Sequence, residues 1–503
     1  MSWLSVMILI PVVGAVLAGL IRTDNNKLPR QIGVATSVIV AAIAIAMAVQ
    51  FDTSTSGLQF VESYTWIPAF GVNFSLGVDG IALSLIVMAA ILVPVVFVAA
   101  WKESEGHQGT VRQYVVFTLI AESMMIGVFA ATDLFLFYVF FEAILIPMYF
   151  LIGRFGGQRA PYAATKFLIY SLVGGLFMLA SLIGLWVQAR AQFGEPTFDW
   201  VKLTELELSQ STQIWLFLGF FIAFAIKAPM VPLHTWLPDA ASEAQPGSAT
   251  LMVGVLDKIG TFGMLRYLLP IFPLASEFFT PMIIVLSLIG IFYGALLAIG
   301  QSDLKRLIAY TSISHFGFIT LGIFAFTPQA QAGAALYMVS HGFSTAALFL
   351  TAGFLISRRG SRYIEDFGGV NKVAPVLAGA FFLAGLSGLA LPGMSSFVAE
   401  FLVLTGTYVT NPVAAIIASV GIVFAALYIL LMYQRSMTGE PTAEVIETMS
   451  SELSLRERIG IAPVILVIFL LGFFPQIALN IINPAIAGAT PIVVAEIVEG
   501  AAE

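Results

Sequence analysis

Apolar runs of about 18 to 25 residues recur from one end of this 503-residue chain to the other. Each is long enough to cross a hydrocarbon layer about 30 Å thick as a helix. A water-soluble fold could not cover its surface with what remains, because 59% of the residues are apolar and only 10% are charged, against roughly 25% charged in an ordinary soluble domain. The pattern predicts an all-α polytopic membrane protein. Cysteine is absent, which excludes disulfides, Cys-ligated iron–sulfur clusters and thiolate zinc sites within the chain. No basic stretch reads as a nucleic-acid patch.

Hydropathy places fourteen spans near 2–21, 31–50, 78–101, 112–131, 133–153, 163–188, 212–240, 248–269, 278–300, 304–324, 330–356, 374–409, 412–434 and 460–482. The first lacks a basic leader and a small-residue cleavage site, so it reads as a retained helix. The seventh and twelfth are too long for plain spans and carry Pro or Gly near their middles. Threading the spans back and forth puts seventeen of the 22 Lys and Arg residues on one side, from Arg22, Lys27 and Arg30 to Arg456 and Arg458, and only Arg190, Lys202 and Arg266 on the other. That bias makes the rich side of the multi-pass chain cytoplasmic, with both termini outside; a bacterial inner membrane is its expected location.

A shift of about 170 residues brings two stretches into partial register. Thr132-Asp133-Leu134 falls on Ser302-Asp303-Leu304, Tyr170-Ser171 on Val339-Ser340, and, with a small stretch, Lys227 on Glu400. Five spans lie in each unit, so successive units enter the membrane from opposite sides, the inverted plan of many transporters. The expected division is an N-terminal three-helix segment at 1–111, five-helix repeats at 112–269 and 278–435, and a C-terminal segment at 436–503.

Two lysines remain once the loops are counted, Lys227 and Lys258, and both sit inside apolar spans. Glu142 lies about nine residues into its helix, roughly 14 Å deep at 1.5 Å per residue. Lys227 precedes the break at Pro229, Asp257 adjoins Lys258, and Glu400 follows the break at Pro392-Gly393. Each such charge costs roughly 2.5 to 3.5 kcal/mol on insertion scales, so four cost on the order of 10 to 14 kcal/mol, comparable to the net stability of a whole domain. Buried ion pairs that only fix helix packing are one reading, yet such pairs are often no better than apolar replacements. The other reading is a proton relay. Bringing Glu142 towards Lys227 holds the lysine protonated and separating them favours release, so a moving ion pair acts as a switch.

His315 and His341 lie about eleven residues into their helices, and an imidazole can pass a proton through both ring nitrogens. A lone helical histidine is more often a hydrogen-bonded packing residue; the company of Glu400 favours a relay. Glu122 is a mid-span acid that either joins the relay or bonds a neighbouring hydroxyl. Asp133 and Asp303 open helices and read as caps. No His, Asp and Glu spacing suggests a metal site.

The strings Asp133-Leu134-Phe135-Leu136-Phe137-Tyr138-Val139-Phe140-Phe141-Glu142, Pro232-Leu233-His234-Thr235-Trp236-Leu237-Pro238-Asp239-Ala240, Asp303-Leu304-Lys305-Arg306-Leu307-Ile308-Ala309-Tyr310 and Leu391-Pro392-Gly393 resemble the antiporter-like membrane subunits of respiratory complex I, over roughly residues 70 to 440. The resemblance implies fourteen helices with two inverted five-helix repeats. It matches Glu142, Lys227 and Lys258 to the family's relay residues on the fifth, seventh and eighth helices. On the twelfth, most relatives carry lysine and the subunit M branch carries glutamate, as Glu400 does here. Relatives follow Pro-Asp-Ala with a histidine; this chain has Ala241, so any path through that histidine lacks its residue.

By this resemblance the chain is a proton-translocating module of NADH:quinone oxidoreductase. It implies homologous antiporter-like subunits and a lateral helix as neighbours, with lipids and protons as the other partners. FMN, iron–sulfur clusters and quinone are expected in partner subunits and no cofactor in this chain. A subunit of a multisubunit Na⁺(K⁺)/H⁺ antiporter is the alternative, to be told apart by whether NADH-oxidising chains accompany it. A third reading, a structural scaffold, predicts that neutralising the buried charges harms assembly alone.

Overall fold

The computed structural model describes residues 2–21 and 26–489. Arg22 and the chain ends, used above for orientation, lie outside the described residues. Helices of eight or more residues are labelled in chain order. They are α1 (Trp3–Leu20), α2 (Lys27–Gln50), α3 (Gly80–Ala99), α4 (Val111–Ala130), α5 (Leu134–Phe155), α6 (Ala160–Phe193), α7 (Gln210–Lys227), α8 (Trp236–Glu243) and α9 (Pro246–Ile271). They continue as α10 (Pro273–Ile299), α11 (Leu304–Ile323), α12 (Pro328–Arg359), α13 (Pro375–Gly388), α14 (Ser395–Thr410), α15 (Pro412–Met437), α16 (Leu455–Phe473) and α17 (Gln476–Ala489).

Among the described residues, eleven helices are long and apolar enough to cross a membrane, and α16 with α17 makes a twelfth if that bent pair counts as one span. The exposed side chains of α1, α2, α6, α10 and α15 are mainly large and apolar, as a lipid-facing surface requires. The helices α9 and α12 lie at the centre, almost wholly covered by the others.

The expected interruptions appear where proline removes a backbone donor. Residues 212–240 form no single helix: α7 stops at Lys227, the chain turns through 228–235, and α8 follows. Likewise 374–409 divides into α13 and α14 around Pro392-Gly393, with Gly393 at φ 92°. Two features were not expected. The last span, read as 460–482, stops at Phe473, and beyond Pro475 α17 leaves at 70°. Residues 59–78, of which only Val78 was expected in a span, form an antiparallel hairpin of β1 (Gln59–Ile67) and β2 (Val72–Val78). Its Glu62 carboxylate accepts the N–H groups of Leu4 (2.8 Å) and Ser5 (3.3 Å), which have no partner within α1.

Asp133 accepts the N–H groups of Phe135 and Leu136, both at 3.0 Å, and Asp303 those of Lys305 (2.9 Å) and Arg306 (3.2 Å). Beside each cap lies a backbone clasp. Leu134 N–H donates to the Phe198 carbonyl and Trp200 N–H to that of Thr132; Leu304 N–H donates to the Arg362 carbonyl and Ile364 N–H to that of Ser302. The helices α5, α6, α7, α9 and α10 separate the two clasps, so by threading they sit on opposite faces of the bundle.

Candidate functional site

The break after α7 leaves backbone carbonyls without helical partners, and Trp236 of α8 donates its indole N–H to that of Ile226 (2.9 Å). This holds Lys227 as the last residue of α7, wholly buried. Its Nζ makes no hydrogen bond and lies over the rings of Phe141 (4.9 Å) and Phe167 (5.6 Å), whose faces attract a cation. Glu142, the residue after Phe141, has one carboxylate oxygen buried without a partner. A Cβ at Gly175 on α6 would overlap that carboxylate, so only glycine leaves room for it. Each of Glu142 and Lys227 feels the other's charge, but no ion pair within 4.0 Å joins them.

The next lysine stands on α9, whose turn Met252–Leu256 is a π-helix. Such wide turns recur at functional sites because they release backbone groups. Lys258 Nζ donates to the Val253 carbonyl at 2.5 Å and bonds Nδ1 of His341, on α12, at 2.7 Å. Between the lysines lies Asp257, fully buried, with neither oxygen hydrogen-bonded and with both lysines acting on its charge. Gly260, one turn on, permits this spacing, since a Cβ there would overlap the Phe224 carbonyl of α7.

Beyond Lys258 the polar file continues through α11, α12 and α14. His341 Nε2 bonds Thr345 Oγ1 at 3.1 Å, and the His341 and His315 rings lie 5.2 Å apart. His315 Nδ1 bonds the Tyr337 hydroxyl at 3.0 Å, which donates to Glu400 Oε2 at 2.9 Å; His315 Nε2 bonds the Tyr428 hydroxyl at 3.0 Å. Tyr337 has one proton to give. While it gives that proton to Glu400, His315 must donate from Nδ1 and accept from Tyr428 at Nε2.

The six expected residues therefore fall into two groups. Lys258, His341, His315 and Glu400 are brought into one file, broken only between the two histidine rings, while Glu142 and Lys227 form a second group, and Asp257 feels the charge of a lysine from each. Sequence reasoning passed over Asp257 as a site residue and missed Tyr337 and Tyr428. Tyr337 precedes His341 by four residues, on the same helix face, a spacing that could have found it. Glu122 is fully buried with both oxygens unpartnered, so the hydroxyl bond considered for it is not made.

On the lysine- and arginine-rich face, Asp239 of α8 pairs with Lys166 and Arg306, both at 2.7 Å, and Arg362 joins Asp303 (2.8 Å) to Glu243 (3.0 Å). In the α3–α4 loop on that face, burial holds the Glu103 carboxyl up at about 7, although the Gly247 N–H and the charges of Lys305 and Arg456 favour its ionised form. Among the described residues, no three His, Asp or Glu side chains are placed to hold a metal ion.

A family described as NADH:quinone oxidoreductase/Mrp antiporter, TM, matches residues 131–425. NADH-quinone oxidoreductase subunit M of Mycobacterium tuberculosis (strain ATCC 25618 / H37Rv) is 48% identical over 96% of this chain and 93% of its own. NADH-ubiquinone oxidoreductase chain 4 of Arabidopsis thaliana is 38% identical over 96% of each. Among solved structures, a chain of respiratory complex I from Thermus thermophilus with bound NADH superposes with a TM-score of 0.87 and 31% identity, covering 97% of this chain and 99% of that one. A chain of the Mrp complex from Dietzia sp. DQ12-45-1b gives 0.84 at 22% identity over 99% of each, a likeness of fold alone.

Proposed function

The chain belongs to the membrane-subunit family that NADH:quinone oxidoreductase shares with the Mrp antiporters, and from that premise we propose that its buried acids, lysines and histidines carry protons across the bilayer. It is a multi-span membrane subunit of complex I, and other complex I subunits are its partners. The observation that carries the mechanism is the file Lys258, His341, His315, Tyr337 and Glu400. Such groups, deep in an apolar bundle, cost too much to be incidental, and each is hydrogen-bonded to the next except across the two histidine rings, whose centroids lie 5.2 Å apart and between which the proton needs a bridging water or a ring turn.

In this reading Lys227 is loaded while Glu142 is near and discharges when Glu142 withdraws. Asp257 carries that change to Lys258, which passes a proton to His341 and on to Glu400. Aromatic faces hold Lys227 in an open arrangement, as a separated ion pair requires. Electron transfer drives the cycle from partner subunits, which would hold the FMN, iron–sulfur clusters and quinone. Homologous antiporter-like subunits and a lateral helix are the expected neighbours.

Three further assignments belong to the same reading. The matched caps and clasps at Asp133 and Asp303 support inverted repeats at 112–269 and 278–435, between the segments 1–111 and 436–503. Adding α11, the α13–α14 pair and α16 to the eleven clear spans supports fourteen crossings. The charge bias supports a cytoplasmic rich side, with both termini outside a bacterial inner membrane.

The test is proton translocation by the assembled complex. Lys227→Ala and Glu142→Gln should each lower the protons moved per NADH oxidised with assembly retained; unchanged translocation in both removes the relay.

A further inference from the structure

Ala241, within α8, stands where the resemblance implies a histidine, so the relay proposed above needs another supply from the lysine- and arginine-rich face. A cavity of about 480 Å³ opens there, its charged and polar lining residues including Glu103, His107, Gln245, Arg456 and Glu457. Glu103 lies partly buried in its wall and accepts the Gly247 N–H at 2.8 Å. Directly behind, Tyr114 of α4 lies beside Ser248 of α9; both are buried, and neither hydroxyl has a partner of good hydrogen-bond geometry. A Cβ at Gly247 would lie 3.0 Å from both Glu103 Oε2 and the Tyr114 hydroxyl, so these two groups converge on one point.

From that point α4 and α9 run into the membrane in the same direction, their side chains meeting near each end. Tyr114 meets Ser248, and fifteen residues later Phe129 meets Phe262, fourteen residues on from Ser248, with ring centroids 5.3 Å apart. Interpolating between those two meetings puts Glu122 at the level of residues 255 and 256, just before Asp257 and Lys258 in α9. At 100° per residue Glu122 shares the face of Tyr114, Thr118 and Phe129, so it looks towards α9. Glu122 and Asp257 are both wholly buried carboxyl groups without a hydrogen-bond partner. Unpartnered buried carboxylates cost several kcal/mol, and two at one depth, on α4 and α9, have no packing role to account for them.

We propose that Glu122 is the proton-relay residue of a supply route along α4, running from Glu103 past Tyr114 and Ser248 to Glu122, then to Asp257 and Lys258. Each step breaks one O–H bond and forms the next, and water spans the gaps too long for direct contact. The incoming proton ends on the Lys258 amine after that group has given its own to His341, so one proton enters for each that leaves. The proposal rests on the relay reading, with Lys258 as its receiving group.

The test compares Glu122→Gln, Glu122→Asp and Lys258→Ala in the assembled complex reconstituted in vesicles. Protons moved per NADH oxidised are read against assembly on native gels. Glu122→Gln should lose as much translocation as Lys258→Ala, and Glu122→Asp, which keeps a carboxyl, should restore most of it; a purely structural acid would be served as well by the isosteric amide. Wild-type translocation in Glu122→Gln with a loss in Lys258→Ala overturns this route and leaves the relay standing. Wild-type translocation in both overturns the relay itself. Should Glu122→Gln fail to assemble, Tyr114→Phe reads the same route, and unchanged translocation there overturns it.

Discussion

Replacing Tyr337 by phenylalanine removes one oxygen from the centre of the file and little else. The ring keeps its place against His315, whose centroid lies 5.7 Å away, while the hydroxyl that bonds both His315 Nδ1 and Glu400 Oε2 disappears. Two hops of 3.0 and 2.9 Å become one gap of up to about 6 Å, beyond the 2.6–3.2 Å or so over which a proton passes directly. The histidine N–H and the carboxylate each lose a buried partner, a cost of about 1 to 3 kcal/mol per group. If one such cost adds to the barrier of the slowest step, transfer slows roughly 5- to 150-fold. The assay is NADH-driven proton uptake by vesicles holding the assembled complex, with Tyr428→Phe as the control. That second change removes only the donor to His315 Nε2 and leaves the hop to Glu400 whole, so its effect should be smaller. Wild-type rates and proton yields in Tyr337→Phe would refute the reasoning.

Gly175→Ala should displace the Glu142 carboxylate, whose atoms occupy the space of the new methyl group; translocation should drop as far as in Glu142→Gln while native gels still show the whole complex. Glu103 makes stability fall as pH rises. Its carboxyl is held at about 7 in the fold, above the usual glutamate range, so the folded state binds more protons than the unfolded one between about 4.5 and 7, and stability present at low pH is lost across that window. Thermal unfolding of the purified complex followed from pH 4.5 to 7.5 should show part of that slope vanish in Glu103→Gln, and an unchanged slope would remove Glu103 as its cause.

The sequence disclosed the charges best, because an ionisable group in a long apolar run has no bland place to go. Lys227, Lys258 and Glu400 all lie buried, and the proline breaks beside Lys227 and Glu400 fall where the helices stop. Tyr337 and Tyr428 stayed hidden for the opposite reason: tyrosine is ordinary packing material in a membrane helix, and only its neighbours give its hydroxyl a task. Asp257 was seen beside Lys258 in the chain, yet its position between two lysines depends on how α7 and α9 pack. The hairpin was legible in the alternation Val72, Phe74, Leu76, Val78, a period-2 signal overlooked among helix-length runs. The bend after α16 follows from Pro475, which hydropathy averaging smooths away.

The chain of hydrogen bonds through Tyr337 and His315 has a direction, and conduction reverses it. Once a proton has travelled from His315 through Tyr337 to Glu400 in the proposed relay, the hydroxyl and ring nitrogen it used point opposite to where they began. A second proton following the first finds no acceptor ready until those groups have turned around. In the relay proposed above, such a path delivers one charge per reset, because the turn must be completed between transfers.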